Sequence, residues 1–101
     1  MVLTAKLESS ARRLFPNLKP EQALAGLLLE RAQKNLIKYQ TTAHQFQAKY
    51  NMDFQTFREK VTTGTPPAAQ EQDYFDWELA VTGITDMETE IKRLKEFSEG
   101  K

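Results

Sequence analysis

The sequence predicts a mainly α-helical protein, built as one long antiparallel helical hairpin. Apolar side chains recur every three or four residues over about 20–50 and again over about 71–99, which is the repeat of an amphipathic helix with one apolar face. Each stretch would be about 45 Å long. A turn-rich segment separates them, so the two helices can fold back on each other. We expect a single domain over residues 1–101.

The first long helix is predicted to begin at Pro20 and to end at Tyr50. Proline is tolerated at the first helical position, and Glu21 suits the positive end of the helix dipole. Asn51 then tolerates the left-handed conformation that ends many helices. The predicted apolar stripe consists of Leu24, Leu28, Ala32, Leu36, Tyr39, Ala43, Phe46 and Tyr50.

A short helix is predicted over about 53–62, at the turn of the hairpin. Asp53 can cap its start, and Phe54, Phe57 and Val61 form one apolar face. Glycine and proline follow, so residues 62–70 are expected to form a flexible linker.

The second long helix presents Trp77, Ile84 and Ile91 at seven-residue spacing, as in a packed helical seam. Gly83 interrupts it and costs about 1 kcal/mol relative to alanine. We therefore expect either a kink or a close helix contact at this glycine.

Residues 2–8 allow two interpretations. Leu3, Ala5 and Leu7 alternate with polar residues, as in a half-buried strand that would pair with the same strand of a second chain. Alternatively, Thr4 caps a helix. The alternation slightly favours the intermolecular strand.

The net charge is zero, but the two ends of the chain differ in sign. Residues 1–20 hold four basic and one acidic side chain, whereas residues 71–101 hold nine acidic and four basic ones. The basic N-terminal segment, residues 1–19, is suited to a polyanion and the acidic end to a basic protein. The alternative is that these charges attract each other or only face water.

The sequence lacks the motifs that indicate several classes of function. It has no cysteine, no glycine-rich phosphate loop and one histidine, His44, which we expect to be partly buried. No apolar run approaches the roughly 18 residues of a membrane span. We therefore predict a protein that is not an enzyme, has no cofactor or metal, and has a cytoplasmic location.

The richest aromatic patch includes Tyr74, Phe75 and Asp76, which we predict to bind a protein partner. Consecutive residues point around a helix, so they cannot all face the hairpin seam. Tyr74 or Phe75 is expected to face either the helix of Phe54 or a partner, since aromatics are common at interface hot spots.

Four segments carry a family resemblance. Residues 3–8 and 19–24 resemble ribbon-helix-helix proteins, including antitoxins of bacterial toxin–antitoxin operons. Residues 49–57 and 74–78 are similar to the C-terminal parts of small helical antitoxin-like proteins.

The resemblance implies a dimer whose paired strands enter the major groove of DNA. By position, Thr4, Lys6 and Glu8 would contact DNA in the groove, with Arg12 and Arg13 near phosphates. Two features depart from the family pattern: the short helix predicted over residues 9–15 ends at Pro16, and the turn over residues 17–19 lacks the common glycine.

The predicted function is that of a homodimeric, antitoxin-like binding protein. It would neutralise a basic protein partner, such as a toxin, and would also bind operator DNA. The alternative is a scaffolding hairpin that self-associates through Trp77, Ile84 and Ile91, with no role in nucleic-acid binding.

Overall fold

The computed structural model describes the backbone of residues 4–100 and the side chains of residues 4–97. It contains four helices: α1 (Ala5–Leu14), α2 (Pro20–Tyr50), α3 (Phe54–Thr63) and α4 (Ala68–Gly100). The long helices α2 and α4 pack against each other as a hairpin, and α3 lies at the turn. The predicted fold class is therefore confirmed.

The predicted N-terminal strand is wrong for the part of it that the structure describes. Ala5–Leu14 is helical, and the hydroxyl of Thr4 accepts a hydrogen bond of 3.3 Å from the backbone N–H of Leu7. This side-chain cap satisfies a helix N–H that otherwise has no partner, so it favours the helix over the extended form. Residues 2 and 3 of the predicted strand lie outside the described residues.

Local capping sets three of the other helix ends. The side chain of Gln22 accepts a hydrogen bond of 2.9 Å from the N–H of Lys19 where α2 begins. Asn51 closes α2 in the left-handed conformation, with φ of 52°. Asp53 accepts a hydrogen bond of 2.8 Å from the N–H of Thr56 and caps α3. These are the residue types that favour such positions.

The connection between α3 and α4 is shorter than the sequence predicted. It comprises residues 64–67, because α3 continues to Thr63 and α4 already begins at Ala68. The backbone N–H of Glu71 bonds to the carbonyl of Pro67 at 3.1 Å, which adds the first turn of α4.

The core is concentrated at the turn end of the hairpin. Phe57 and Trp77 are fully buried there, and partly buried residues of α2, α3 and α4 surround them. The remaining cluster members and neighbours are Val61, Tyr74, Ala43, Phe46, Tyr50, Met52, Phe54 and Val81. The aromatic rings thus join all three helices at one end.

Small residues line the rest of the seam. Ala25, Ala32, Ala80 and Gly83 are buried between α2 and α4, which lets the two backbones approach closely. Leu28, which the sequence placed on this stripe, is instead half exposed. The molecule is a rod of 57 × 25 × 21 Å with a thin core.

Candidate protein-binding surface

The three residues predicted to bind a partner, Tyr74, Phe75 and Asp76, lie in three different environments. Tyr74 is buried, and its ring stacks on Phe54 with a centroid distance of 5.8 Å. Phe75 is 52% exposed and Asp76 is exposed. The helical turn of about 100° per residue separates them. Tyr74 therefore belongs to the core, and Phe75 and Asp76 remain at the surface.

The hydroxyl of Tyr74 also has a partner within the chain. It donates a hydrogen bond of 3.1 Å to the carboxylate of Glu78, one turn further along α4. The pKa of Tyr74 is raised mainly by burial and, to a lesser extent, by this hydrogen bond to a carboxylate. Its ring and its hydroxyl are thus both held by other side chains.

Leu79 joins Phe75 at the surface, although the sequence analysis did not select it. Leu79 is 66% exposed and lies four residues after Phe75, so the two side chains sit one turn apart on the outer face of α4. Its spacing from Phe75, together with its position off the seam of Trp77, Ile84 and Ile91, was the signal that could have found it. We call Phe75, Asp76 and Leu79 the α4 surface.

The α4 surface lies in an acidic part of the helix. Between Ala68 and Ile91, α4 carries seven acidic side chains and no basic one. Two of the seven form ion pairs: Asp73 with Lys49 and Glu90 with Arg93. The acidic side chains of this part of α4 therefore outnumber the bases that neutralise them.

A shallow groove borders the α4 surface on the side of α2. It has a volume of about 290 Å³, and Tyr39 and Phe46 of α2 line it together with Leu79. Lys38 and Thr42 of α2 and Asp76 of α4 also line it. The apolar area of the α4 surface thus extends onto α2, the first long helix.

The aromatic cluster packs the same stretch of α4 against α2 and α3. Trp77, two residues after Phe75, has its ring centroid 5.8 Å from that of Phe46 and 5.2 Å from that of Phe57. Such packed aromatic pairs add to the stability that burial alone provides. Phe75 and Leu79 therefore project from a well-packed part of the rod.

A polar cluster fastens the same part of α4 to the end of α2. Asp73 accepts a hydrogen bond of 2.6 Å from the ammonium of Lys49 and a second one from the hydroxyl of Tyr50. Both hydrogen bonds lower the pKa of Asp73, and the one from Lys49 has the larger effect. The carboxylate is thus held ionised by two donors, both of which come from α2.

The residues predicted to bind nucleic acid all lie on or beside α1. Thr4 is occupied as the helix cap, whereas Lys6, Arg12 and Arg13 are exposed. Arg12 lies 3.8 Å from Glu8, one turn away. Lys6 and Arg13 are seven residues apart, which places them two turns apart on the same side of α1. The helix thus brings Lys6 and Arg13 to one face and directs Arg12 elsewhere.

Groups that would indicate a metal centre are not gathered within the described residues. His44 is exposed rather than partly buried as expected. No set of three or more histidine, aspartate or glutamate side chains converges there on a metal-sized site. In the same part of the chain, no helix combines the length and the apolar character that crossing a bilayer requires.

Comparisons with protein-family models, with curated proteins and with solved structures find no match to this chain. The resemblance to antitoxins stays a prediction.

Proposed function

We propose that this chain is a non-enzymatic, antitoxin-like binding protein that neutralises a basic protein partner through the α4 surface. The observation that carries the proposal is the exposure of Phe75 and Leu79, one turn apart, in the acidic part of α4. Large apolar side chains presented by a helix at this spacing are suited to a groove on a partner.

The apolar and acidic side chains have separate roles in this proposal. Phe75 and Leu79 provide contact area, and aromatic anchors of this kind often dominate binding energy. The surrounding carboxylates select a basic surface and accelerate association more than they add affinity. Phe75 and Leu79 belong to the same stretch of α4 as the buried Trp77, which packs against Phe46 and Phe57, so the anchors stand on a packed helix before the partner binds.

The test uses the whole chain as bait, with an identified partner as the readout. Proteins captured from the source cells would be identified and purified, and their affinity would be measured by titration calorimetry. We expect a basic partner that binds the unaltered chain and loses at least about 100-fold in affinity with Phe75→Ala plus Leu79→Ala. Affinity should also fall with added salt.

Ile37→Ala is the matched control for this test. Ile37 is 62% exposed on α2, so the substitution removes a similar apolar side chain outside the α4 surface. Its affinity should equal that of the unaltered chain. Equal losses for Ile37→Ala and for the double variant would contradict the proposal.

Binding to operator DNA forms a second, separable part of the proposal. The strand-based mode that the resemblance implied does not apply, because Ala5–Leu14 is helical. The observation that favours DNA is the shared exposed face of Lys6 and Arg13 on α1. A helix with such side chains can contact phosphates.

A gel shift at several salt concentrations tests this part. The duplexes would be the region upstream of the chain's own gene and a scrambled duplex of the same length. We expect Lys6→Ala plus Arg13→Ala to weaken binding and to reduce its salt dependence by about two phosphate contacts. An unaltered chain that binds neither duplex at low salt would remove the DNA part and leave the α4 part standing.

The alternative function, self-association through Trp77, Ile84 and Ile91, would require a different surface. Trp77 is buried within its own chain, and Ile84 and Ile91 are partly buried in α4. Exposed apolar residues at the opposite end of the rod provide another route to self-association.

A further inference from the structure

The open end of the hairpin carries most of the exposed large apolar side chains of the described residues. This end is formed by α1, the start of α2 and the end of α4. Its exposed members are Leu7, Leu14, Leu18, Leu27, Leu28 and Phe97. The acidic α4 surface lies near the other end of the rod, so the two surfaces are separate.

Two neighbouring grooves join five of these side chains, all except Leu18, into one surface. The first lies between α1 and α2, where Leu7, Leu14 and Leu27 line a groove of about 220 Å³. The second lies between α2 and α4, where Leu28 and Phe97 line a groove of about 300 Å³. Leu24 lines both grooves, so the apolar area is continuous across α2.

Helix α1 is poorly supported by its own chain. None of its residues is buried, and its apolar side chains Leu7 and Leu14 are 58% and 75% exposed. A helix of ten residues is marginal in water unless packing supports its apolar face. Leu7 and Leu14 line the groove with α2 and yet stay mostly exposed, so α1 has apolar surface left for a second contact.

We infer that the open end is the interface of a homodimer, in which α1 of each copy covers the open-end grooves of the other. The shape of the chain favours a second copy as the occupant. Its accessible surface is 7634 Å², whereas a compact chain of this mass would expose about 5,800 Å². The excess is larger than the roughly 800 Å² that each partner contributes to a standard interface.

The charges at the open end also suit a copy of the same chain. Glu21 and Glu96 lie beside Arg93 around the groove of Leu28 and Phe97. In a two-fold arrangement the same patch meets itself, so a patch with both signs can pair acid with base. A patch of one sign would repel its own copy.

Mass in solution tests the inference directly. Light scattering after size-exclusion chromatography should give twice the mass of 11.6 kDa for the unaltered chain. Leu14→Glu plus Leu27→Glu should give the single mass, because it places four charges in the dimer interface. Ile37→Glu, which alters an exposed apolar residue outside the open end, should keep the double mass.

A spin-label experiment locates the interface without relying on the folding of a disrupted variant. The chain has no cysteine, so single labels can be placed at Arg13→Cys or at Thr63→Cys. The distance between the two copies should be shorter for the label at position 13, near the open end, than for the label at position 63, at the turn. A single mass for the unaltered chain, or a shorter distance at position 63, would overturn the inference.

Discussion

The ring of Tyr39 on α2 packs directly over Gly83 on α4. A β-carbon at position 83 would lie 2.7 Å from two ring carbons and 2.8 Å from a third. The absence of a side chain at Gly83 therefore lets the middle of the two long helices come together. This contact confirms the expected close approach at Gly83.

Gly83→Ala should destabilise the protein, although alanine is the better helix former. The helix gains about 1 kcal/mol, but displacing a half-buried ring costs about 1–3 kcal/mol, so we expect a net loss of up to about 2 kcal/mol. Urea unfolding measures the difference. In a Tyr39→Ala background, Gly83→Ala should instead be neutral or stabilising.

Gly26→Ala provides the matched control within the other long helix. No atom lies within 4 Å of a β-carbon at Gly26, so alanine should stabilise α2 by up to about 1 kcal/mol. If both glycine variants changed stability in the same direction, the contact of Tyr39 with Gly83 would not be the cause.

Phe57→Ala and Phe75→Ala should differ sharply in stability. Phe57 is 0% exposed, and its ring centroid lies 4.3 Å from that of Tyr50. Removal of the Phe57 ring should therefore lower the free energy of unfolding by about 3–5 kcal/mol. Phe75 is half exposed, and its removal should cost less than about 1 kcal/mol.

The fluorescence of Trp77, the chain's one tryptophan, reports this comparison because it lies in the same cluster as Phe57. Denaturant unfolding should show a lower midpoint for Phe57→Ala alone. A large loss for Phe75→Ala would mean that Phe75 supports the fold, and it would then be unsuitable as a probe of binding.

Asp73→Asn should lower the free energy of unfolding at pH 7. It should also make that free energy depend less on pH in the acid range. The folded state lowers the pKa of Asp73, so its ionised form stabilises the fold. That contribution is present above the unfolded pKa of about 4 and is lost as the pH falls through the lower folded value. The gap in free energy of unfolding between the unaltered chain and Asp73→Asn should therefore narrow below about pH 4.

Urea unfolding at a series of pH values measures this gap. Asp86→Asn is the control, since Asp86 is an exposed aspartate of the same helix. It should leave the stability at pH 7 nearly unchanged. A gap for Asp73→Asn that stayed constant down to pH 2 would show that the charge of Asp73 does not stabilise the fold.

Periodicity predicted the long elements because helix α2 repeats one pattern for 31 residues. Over such a length, steps of three and four residues are distinguishable from the alternation of a strand. The bounds of α2 matched the prediction at both Pro20 and Tyr50. Asp53 likewise indicated the start of α3 because it is an N-cap residue.

The N-terminal segment was harder to predict because it is short. Leu7 fits both the strand alternation and the apolar face that continues to Ala11 and Leu14 in α1. Three or four residues are too few to distinguish the two-residue repeat of a strand from the three-and-four spacing of a helix. The hydrogen bond from the N–H of Leu7 to Thr4 forms only in the helix, and the alternation of residues 2–8 does not take it into account.

The sequence by itself determined α2, α3 and α4, the hairpin and the difference in charge between the two ends, because these follow from local repeats, caps and residue type. Only the tertiary structure decided that Tyr74 is buried while Phe75 and Leu79 are exposed. It also decided that the open end keeps a continuous apolar surface. The physical reason is that burial depends on how α1, α3 and α4 are rotated and placed against α2, and no local pattern specifies those positions.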